Sequence, residues 1–495
     1  MPKNRKYPTL YVKNFAKIKE AEIELAPFTL FIGDNNSGKS YLMTLIYGLM
    51  KYTSNIVNII FENKKLLNSI EEYSKVKNII DNYINSLNFS KTVQLDIEED
   101  ITLKEYEIRE FINLFNVLLN NNIEKVVNYI FNSHNEIKLE NISLNFDCYV
   151  DKLKLSVEKL RSIDKNIKYT GTISIFHYNS GAGCHFSEDN IDYISIIRVF
   201  VNFIINICFN NFYIYNSMNT YFLPVSRTGF ILSYTDIIKS SIELKYDTYA
   251  FDKENQKNNL PRPVIDFLYN LVDLTNTKTK TIRKEKNTNK RIENKIFDII
   301  KMLETNIIDG QIDVNEETSH IYYKPKHIYN SDVSEFAIYL SSAVITELAP
   351  LILFLKYYGN YKNIIMEEPE ISLHPYLQQQ LTRVFIKLVN SGKNVLITTH
   401  SDTIVQHINN MIKLNANEKE RQKKLMKKYK YDEDDIISED KIRMYQFDTK
   451  EDGTEVKALE SSKYGFEVPT FHKYLVEVSK EFDDFIENIG ENNSI

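Results

Sequence analysis

Polar and apolar residues alternate through Leu10 and Val12, and again through Ile18, Ile23 and Leu25, with Asn14-Phe15 between the two runs. That period of two predicts a pair of short strands at the start of the chain. Residues 28–32 are more uniformly apolar, as in a strand covered on both faces, and they run directly into Gly33. Leu42, Leu45, Ile46 and Leu49 then recur at the spacing of one helix face. From residue 52 to about residue 209 the chain becomes rich in Asn, Lys and Glu with helical periodicity, as at 76–87 and 108–119, and carries one strand-like stretch at 168–178. The most apolar run, residues 194–212, is broken by Arg198, Asn202, Asn206 and Asn210, so it reads as a buried helix rather than a membrane span.

Regular patterning returns near residue 339. Tyr339-Leu340-Ser341-Ser342-Ala343 opens a helix with Val344, Leu348, Leu351 and Leu355 on one face and Pro350 as a kink site. A short apolar run from Asn363 to Met366 ends in Glu367-Glu368-Pro369-Glu370. Pro375 starts a helix with Leu377, Leu381, Val384, Phe385 and Leu388 on one face, and Gly392 closes it. Residues 395–399 form a second buried strand that ends at His400. A strand, a helix and a strand in this compass make a crossover unit, so the two strands are parallel. The pattern predicts an α/β protein with a parallel core, N-terminal antiparallel strands and mostly helical insertions. Five segments follow: a first lobe at 1–60, a helical insertion at 61–210, a second lobe or insertion at 211–335, the second part of the head at 336–410, and an extension at 411–495.

Composition narrows the partners. At 495 residues, 43% hydrophobic and 26% charged, the chain can hold more than one core. Its 61 basic and 67 acidic residues leave a net charge of −6, so nucleic-acid contact would need a local patch. Two segments offer one: the basic insertion at 276–295 and the run at 419–430, which an acidic stretch at 432–440 follows. Cys148, Cys184 and Cys208 are too few and too irregular for a disulfide framework or a zinc ribbon, and Cys184-His185 has no second pair at ligand spacing. The charged N-terminus lacks an apolar signal core, which places the chain in the cytoplasm, with no membrane partner.

The chemistry lies in three places. Gly33-Asp34-Asn35-Asn36-Ser37-Gly38-Lys39-Ser40 fits G-x-x-x-x-G-K-[ST] between a strand and a helix, the context a phosphate loop needs. The glycines let successive N–H groups turn toward phosphate oxygens, and the helix N-terminus adds positive charge. Lys39 is placed to reach the β- and γ-phosphates of ATP, and the Ser40 hydroxyl to ligate Mg²⁺. At the carboxyl end of the second core strand, Glu367 is placed to hold Mg²⁺ through water and Glu368 to act as general base. Adjacent strand residues face opposite ways, so both can serve only if the strand stops there and the chain turns. His400, at the end of the neighbouring strand, is placed to sense the γ-phosphate.

With these residues the chain resembles the ABC-type P-loop ATPases of the SMC, RecF and OLD group, in residues 7–50, 339–407 and 445–489. The resemblance makes 33–40 the Walker A loop, Glu367-Glu368 the Walker B pair and His400 the switch histidine. Pro369-Glu370 and Leu373-His374-Pro375 complete the E-P-E…L-H-P form of the OLD-like branch. It implies an ABC/SMC-like ATPase head in which Ser341 or Ser342 caps the signature helix and meets the γ-phosphate held by another copy. It also implies a nucleotide role for Arg227 in the stretch Tyr221-Phe222-Leu223-Pro224-Val225-Ser226-Arg227-Thr228-Gly229. The departures are Glu367 in place of the usual Asp, Ala343 in place of the signature Gly, and no clear Q-loop glutamine, Gln94 being the nearest. OLD nucleases continue into a Toprim domain, and residues 409–495 hold no such acidic cluster. The resemblance therefore implies a homo-oligomeric, slowly hydrolysing ATPase that controls a separately encoded nuclease or toxin, as in the anti-phage systems PARIS and Septu. The competing implication is a repair ATPase that clamps DNA.

Overall fold

The computed structural model describes residues 7–86, 101–146, 153–161, 169–177, 180–187, 191–210, 220–234, 260–275, 290–315, 317–318, 320–327, 335–358, 361–468 and 476–486. One nine-stranded mixed sheet organises them. Its strands in chain order are β1 (Thr9–Phe15), β2 (Ile18–Glu24), β3 (Phe28–Gly33), β4 (Asn141–Asn145), β5 (Thr220–Leu223), β6 (Asn363–Glu367), β7 (Asn394–Thr399), β8 (Ile442–Lys450) and β9 (Gly453–Ala458). Across the sheet they run β4-β1-β2-β9-β8-β3-β7-β6-β5. The block β8-β3-β7-β6-β5 is parallel throughout. β1 pairs antiparallel with β2 and β4, and β8 with β9. The α/β architecture with a parallel core and N-terminal antiparallel strands is thus the one the periodicity predicts.

Alternate residues of the central strands feed two cores, one on each face. Phe31, Ile365, Leu396 and Phe447 enter the first, and Leu30, Ile32, Ile364, Met366 and Ile397 the second. Five helices matter for the site: α1 (Lys39–Lys51), α2 (Arg262–Thr275), α3 (Ala343–Tyr357), α4 (Pro375–Asn390) and α5 (Asp402–Asn415). α1 buries Leu42, Leu45, Ile46 and Leu49 in the first core, while α2 to α5 supply Leu271, Leu348, Leu381 and Ile404 to the second. Each such side chain contributes about 1.5–3 kcal/mol on burial. α4 starts as read, with Pro375 at its first turn and the His374 ring accepting the Tyr376 N–H at 3.4 Å, and Gly392 follows it at φ 91°. Pro350 falls inside α3.

Two features extend the sequence pattern. Residues 61–210 supply the expected helices Glu71–Ser86, Glu105–Asn121 and Tyr193–Asn210, but they also build a four-stranded sheet. Ile101–Thr102, Lys154–Arg161, Tyr169–His177 and Ser180–Ser187 pair antiparallel in that order. Only the third was legible, because Gly181, Gly183 and Cys184 take the places where β-branched residues would have marked the last strand. The hairpin β8–β9 lies in the extension at 411–495. It sits inside the main sheet, between β2 and β3, and joins the antiparallel strands to the parallel core. The basic run at 276–295 and Gln94 lie largely or wholly outside the described residues, and so does Cys148. No helix among the described residues is long and apolar enough to cross a membrane.

Candidate functional site

β3 delivers the chain into the phosphate loop at Gly33, paired in register with Phe447 of β8. Gly33 has φ 125°, and a Cβ there would lie 2.2 Å from the Phe447 carbonyl oxygen. The Asp34 N–H donates to that oxygen at 3.1 Å, and the Asp34 carboxylate accepts the Thr449 N–H at 3.0 Å. Asn36 (φ 56°) and Gly38 (φ 94°) complete the turn beside exposed Asn35, and the Ser37 hydroxyl donates to the Asp34 carbonyl at 2.7 Å. α1 begins at Lys39 with Gly38 as its N-cap and no side chain capping it. Its leading N–H groups therefore face the loop without intrahelical acceptors, and the helix dipole adds to them. The arrangement fits a phosphate group.

Lys39 is buried and curls over the loop, donating to the Gly33 carbonyl at 3.0 Å, to the Asp34 carbonyl and to the Ser37 hydroxyl at 3.3 Å. Burial pulls its ammonium down to about 8, while Glu368, Asp34 and Glu370 pull it back up. A phosphate alongside would restore its full charge.

The paired acids separate as the strand logic requires. β6 ends at Glu367, whose buried carboxylate accepts the Val225 N–H at 3.1 Å and the Ser40 hydroxyl. Burial raises its pKa, against those two donors, and a divalent cation at the same oxygens would reverse that shift. Glu368 lies beyond the strand with φ 41°, a left-handed conformation that costs a non-glycine residue about 1–3 kcal/mol. Its N–H donates to the carbonyl of Thr398 at 3.0 Å and to its hydroxyl at 3.2 Å. The turn leaves Glu368 Oε1 3.8 Å from His400 Nε2.

His400 directly follows β7, which lies between β3 and β6. Burial, then the Lys39 ammonium, lower its pKa, with Glu368 and Asp34 opposing, so the imidazole is neutral near pH 7. Glu370 accepts the His400 N–H at 2.5 Å and the Thr399 hydroxyl, and burial raises its carboxyl against both. Glu370 therefore anchors the backbone at His400, a contact its place in E-P-E did not disclose.

Arg227 requires a correction. The nucleotide role implied for it would need an open guanidinium, but Arg227 is 0% exposed. It donates to the carbonyls of Pro224 (3.0 Å), Glu367 (2.6 Å), Glu368 (3.0 Å) and Glu347 (3.3 Å), and it pairs with the Glu347 carboxylate. Burial pulls both members of that pair toward neutrality, and each opposes this in the other. An arginine remains charged in proteins, so the pair is ionic. Arg227 is a positioning residue that holds the backbone under Glu367 and Glu368. Glu347, which lies on α3 and also accepts the Thr228 hydroxyl, escaped the sequence reading because nothing local marks a buried acid as paired.

Ser342 is the N-cap residue of α3, though its side chain makes no capping bond, and the Ser341 hydroxyl is buried without a hydrogen-bond partner. Neither makes a hydrogen bond to the phosphate loop among the described residues. Tyr339 and Leu340, just before them, are 64% and 66% exposed. The loop 33–40, the acids 367–368 and His400 are thus brought together, while Ser341 and Ser342 make no hydrogen bond to them, Ser342 being exposed and the Ser341 hydroxyl buried.

Residues 8–405 match the sequence profile of the AAA ATPase domain. The chain belongs to that family. ATP is the nucleotide expected of an AAA ATPase domain, and the cradle just described fits its phosphates. Among solved structures, the chain is similar to an SMC head bound to the C-terminal winged-helix domain of ScpA, at 11% identity over 92% of this chain and 98% of that one, with a TM-score of 0.35. It is also similar to the SMC head domain from Thermotoga maritima (10% identity, 91% and 98% coverage, TM-score 0.29). A third is an SMC head with an extended coiled coil, bound to the C-terminal domain of ScpA, derived from Pyrococcus furiosus (10%, 96% and 99%, 0.32). No curated protein matches the sequence.

Proposed function

We propose that two copies of this AAA ATPase domain close on ATP and hydrolyse it slowly at sites shared between them. The observation that carries the reading is the meeting of Lys39, Ser40, Glu367, Glu368 and His400 around the uncapped start of α1. The loop N–H groups and Lys39 hold the β- and γ-phosphates. Ser40 and Glu367 would hold Mg²⁺, whose charge would offset that of the phosphates; one carboxylate, one hydroxyl and phosphate oxygens are a usual set for this ion. Glu368 takes a proton from the water that attacks the γ-phosphorus as the bond from that phosphorus to the β,γ-bridging oxygen breaks and ADP leaves, and His400 orients that water or the γ-phosphate by a hydrogen bond. The edge where Tyr339, Leu340 and Ser342 are exposed, beside Ser341, is where a second copy would complete the site, and Ala343 in place of glycine supports slow turnover.

The E-P-E…L-H-P form supports extending the switch to a separately encoded effector, a nuclease or toxin, in defence against phage. A DNA clamp is the second reading, and one observation favours it: helix Lys419–Tyr429 exposes Lys419, Arg421, Lys423, Lys424, Lys427 and Lys428. Filter binding of duplex DNA over a salt titration separates the two, since a clamp requires a steep loss of affinity with salt.

The core reading is tested with wild type and Glu368→Gln, by ATP turnover and by mass photometry with Mg²⁺ and ATP. Turnover is expected to fall by about 10²-fold or more in the variant. The ATP-dependent dimer should outlive the wild-type one. Equal turnover in both proteins, or no self-association of either with ATP, overturns it.

A further inference from the structure

α1 starts at the phosphate loop and α3 starts at Ser342, yet they belong to opposite cores. α2 connects them. On one side, the Asp266 carboxylate accepts the hydroxyl of Tyr47, a buried residue of α1, at 2.6 Å, and the hydroxyl of Tyr52 just beyond α1 through the same oxygen. One turn earlier, Arg262 lies 3.7 Å over the Tyr129 ring, donates to the Tyr129 carbonyl and sits 5.7 Å from the Tyr52 ring. On its other side α2 grips the C-terminal end of α3, the end opposite Ser342. Phe267 packs on Phe354 with ring centroids 5.8 Å apart, and the Tyr358 hydroxyl donates to the Asn270 carbonyl at 2.9 Å and to Asp273 at 3.0 Å.

Asp266 is half-buried, and two phenols directed at one of its oxygens fix an angle as well as a distance. Apolar packing alone would let α1 and α2 slide. Hydrogen bonds with two discrete arrangements, made or broken, suit an element that has two states. Tyr47 sits two turns into the helix that begins at the phosphate loop, so a displacement of α1 moves a hydroxyl that Asp266 accepts.

We propose that α2 is a cross-brace, with Asp266 and Arg262 as positioning residues, which passes the state of a head's own phosphate loop to the C-terminal end of α3 and, along that helix, to the Ser341-Ser342 end that faces the other copy. The proposal rests on the shared-site reading above. It makes nucleotide binding and presentation of the α3 end one event, so occupancy of one site sets the readiness of the other, a coupling between sites in the thermodynamic sense.

The test is the double variant Tyr47→Phe/Tyr52→Phe, which keeps both rings and removes both hydroxyls, with Asp266→Asn beside it. Four quantities are read: thermal melting, affinity of the monomer for a fluorescent ATP analogue, the Hill coefficient of turnover against ATP, and ATP-driven self-association. The expected result is analogue affinity within about twofold of wild type, a Hill coefficient falling to one, and self-association needing about tenfold more ATP. Wild-type cooperativity and self-association in both variants overturn the brace. So does a loss of analogue affinity matching the loss of turnover, since the residues would then only support the loop. If the double variant melts without cooperativity, Tyr52→Phe alone, at the end of α1, carries the same readouts. Failure of wild type itself to self-associate with ATP overturns the shared-site reading and the brace with it, and that outcome is distinguishable because it precedes any variant.

Discussion

Gly33 meets two demands at one position: a backbone angle that side chains rarely adopt and a carbonyl that leaves no room for one. Gly392 meets only the first, because nothing lies within 4 Å of where its Cβ would be. Gly392→Ala is therefore expected to cost about 1 kcal/mol, the ordinary price of a left-handed alanine. Gly33→Ala must also push Phe447 and β8 away, and should cost several-fold more while abolishing ATP binding. Chemical denaturation of both variants, with an ATP-analogue titration, checks the contrast; equal costs would mean that β8 yields freely. The motif pointed to Gly33, but the reason for it, a strand more than 400 residues later, was out of reach of any local pattern. Glu368 shows the reverse case. The rule that neighbours on a strand face apart required a turn after Glu367, and φ 41° supplies it.

At the scale of elements, β6 and α3 are tied through Arg227, which spends its five donors on Pro224, Glu347, Glu367 and Glu368. Lysine has one point charge and no planar fork, so Arg227→Lys cannot hold these acceptors together. The expected result is a turnover loss well beyond any loss of ATP affinity, since the phosphate loop is untouched while Glu368 drifts. Arg227→Ala should destabilise by about 3–5 kcal/mol, because Glu347 would remain buried and unpaired. Parallel measurement of kcat and ATP affinity in the lysine variant decides the point; equal losses would return Arg227 to the nucleotide. The sequence showed a conspicuous arginine near a strand end. Whether such a side chain points to ligand or to backbone depends on packing, which leaves no trace in the residues beside it.

Across the whole molecule, the segment after residue 429 is stitched to α4 by Arg383, Lys387, Asp432 and Asp435. His407 of α5 lies beside this network, 5.9 Å from the Tyr431 ring, and its Nε2 is buried without a hydrogen-bond partner. Burial, then Arg383, hold its pKa down to about 4 from 6.5, against the pull of Asp435. The unfolded chain therefore binds the proton that the folded one refuses. Its contribution is fully present above pH 6.5 and is lost as pH falls toward about 4. The loss is about 3 kcal/mol. Urea denaturation between pH 7 and pH 4 should show stability falling with acid, and His407→Phe should flatten that slope; an unchanged slope would assign the acid lability to other groups.

The chain's own pattern settled the local questions. A strand running into a glycine-bounded loop, an acid pair after an apolar run and a histidine after the next strand each state their chemistry through spacing, because a strand's end and a helix's start are decided within a few residues. The crossover from β6 through α4 to β7 likewise left only a parallel pairing. What only the tertiary structure decided was which strands are neighbours: β7 between β3 and β6, the β8–β9 hairpin driven between β2 and β3, and α2 reaching from one core to the other. Pairing of strands hundreds of residues apart is set by which faces fit once the chain has closed, and closing costs the same loop entropy for many alternatives. Periodicity records that a face is apolar; it does not record what covers it.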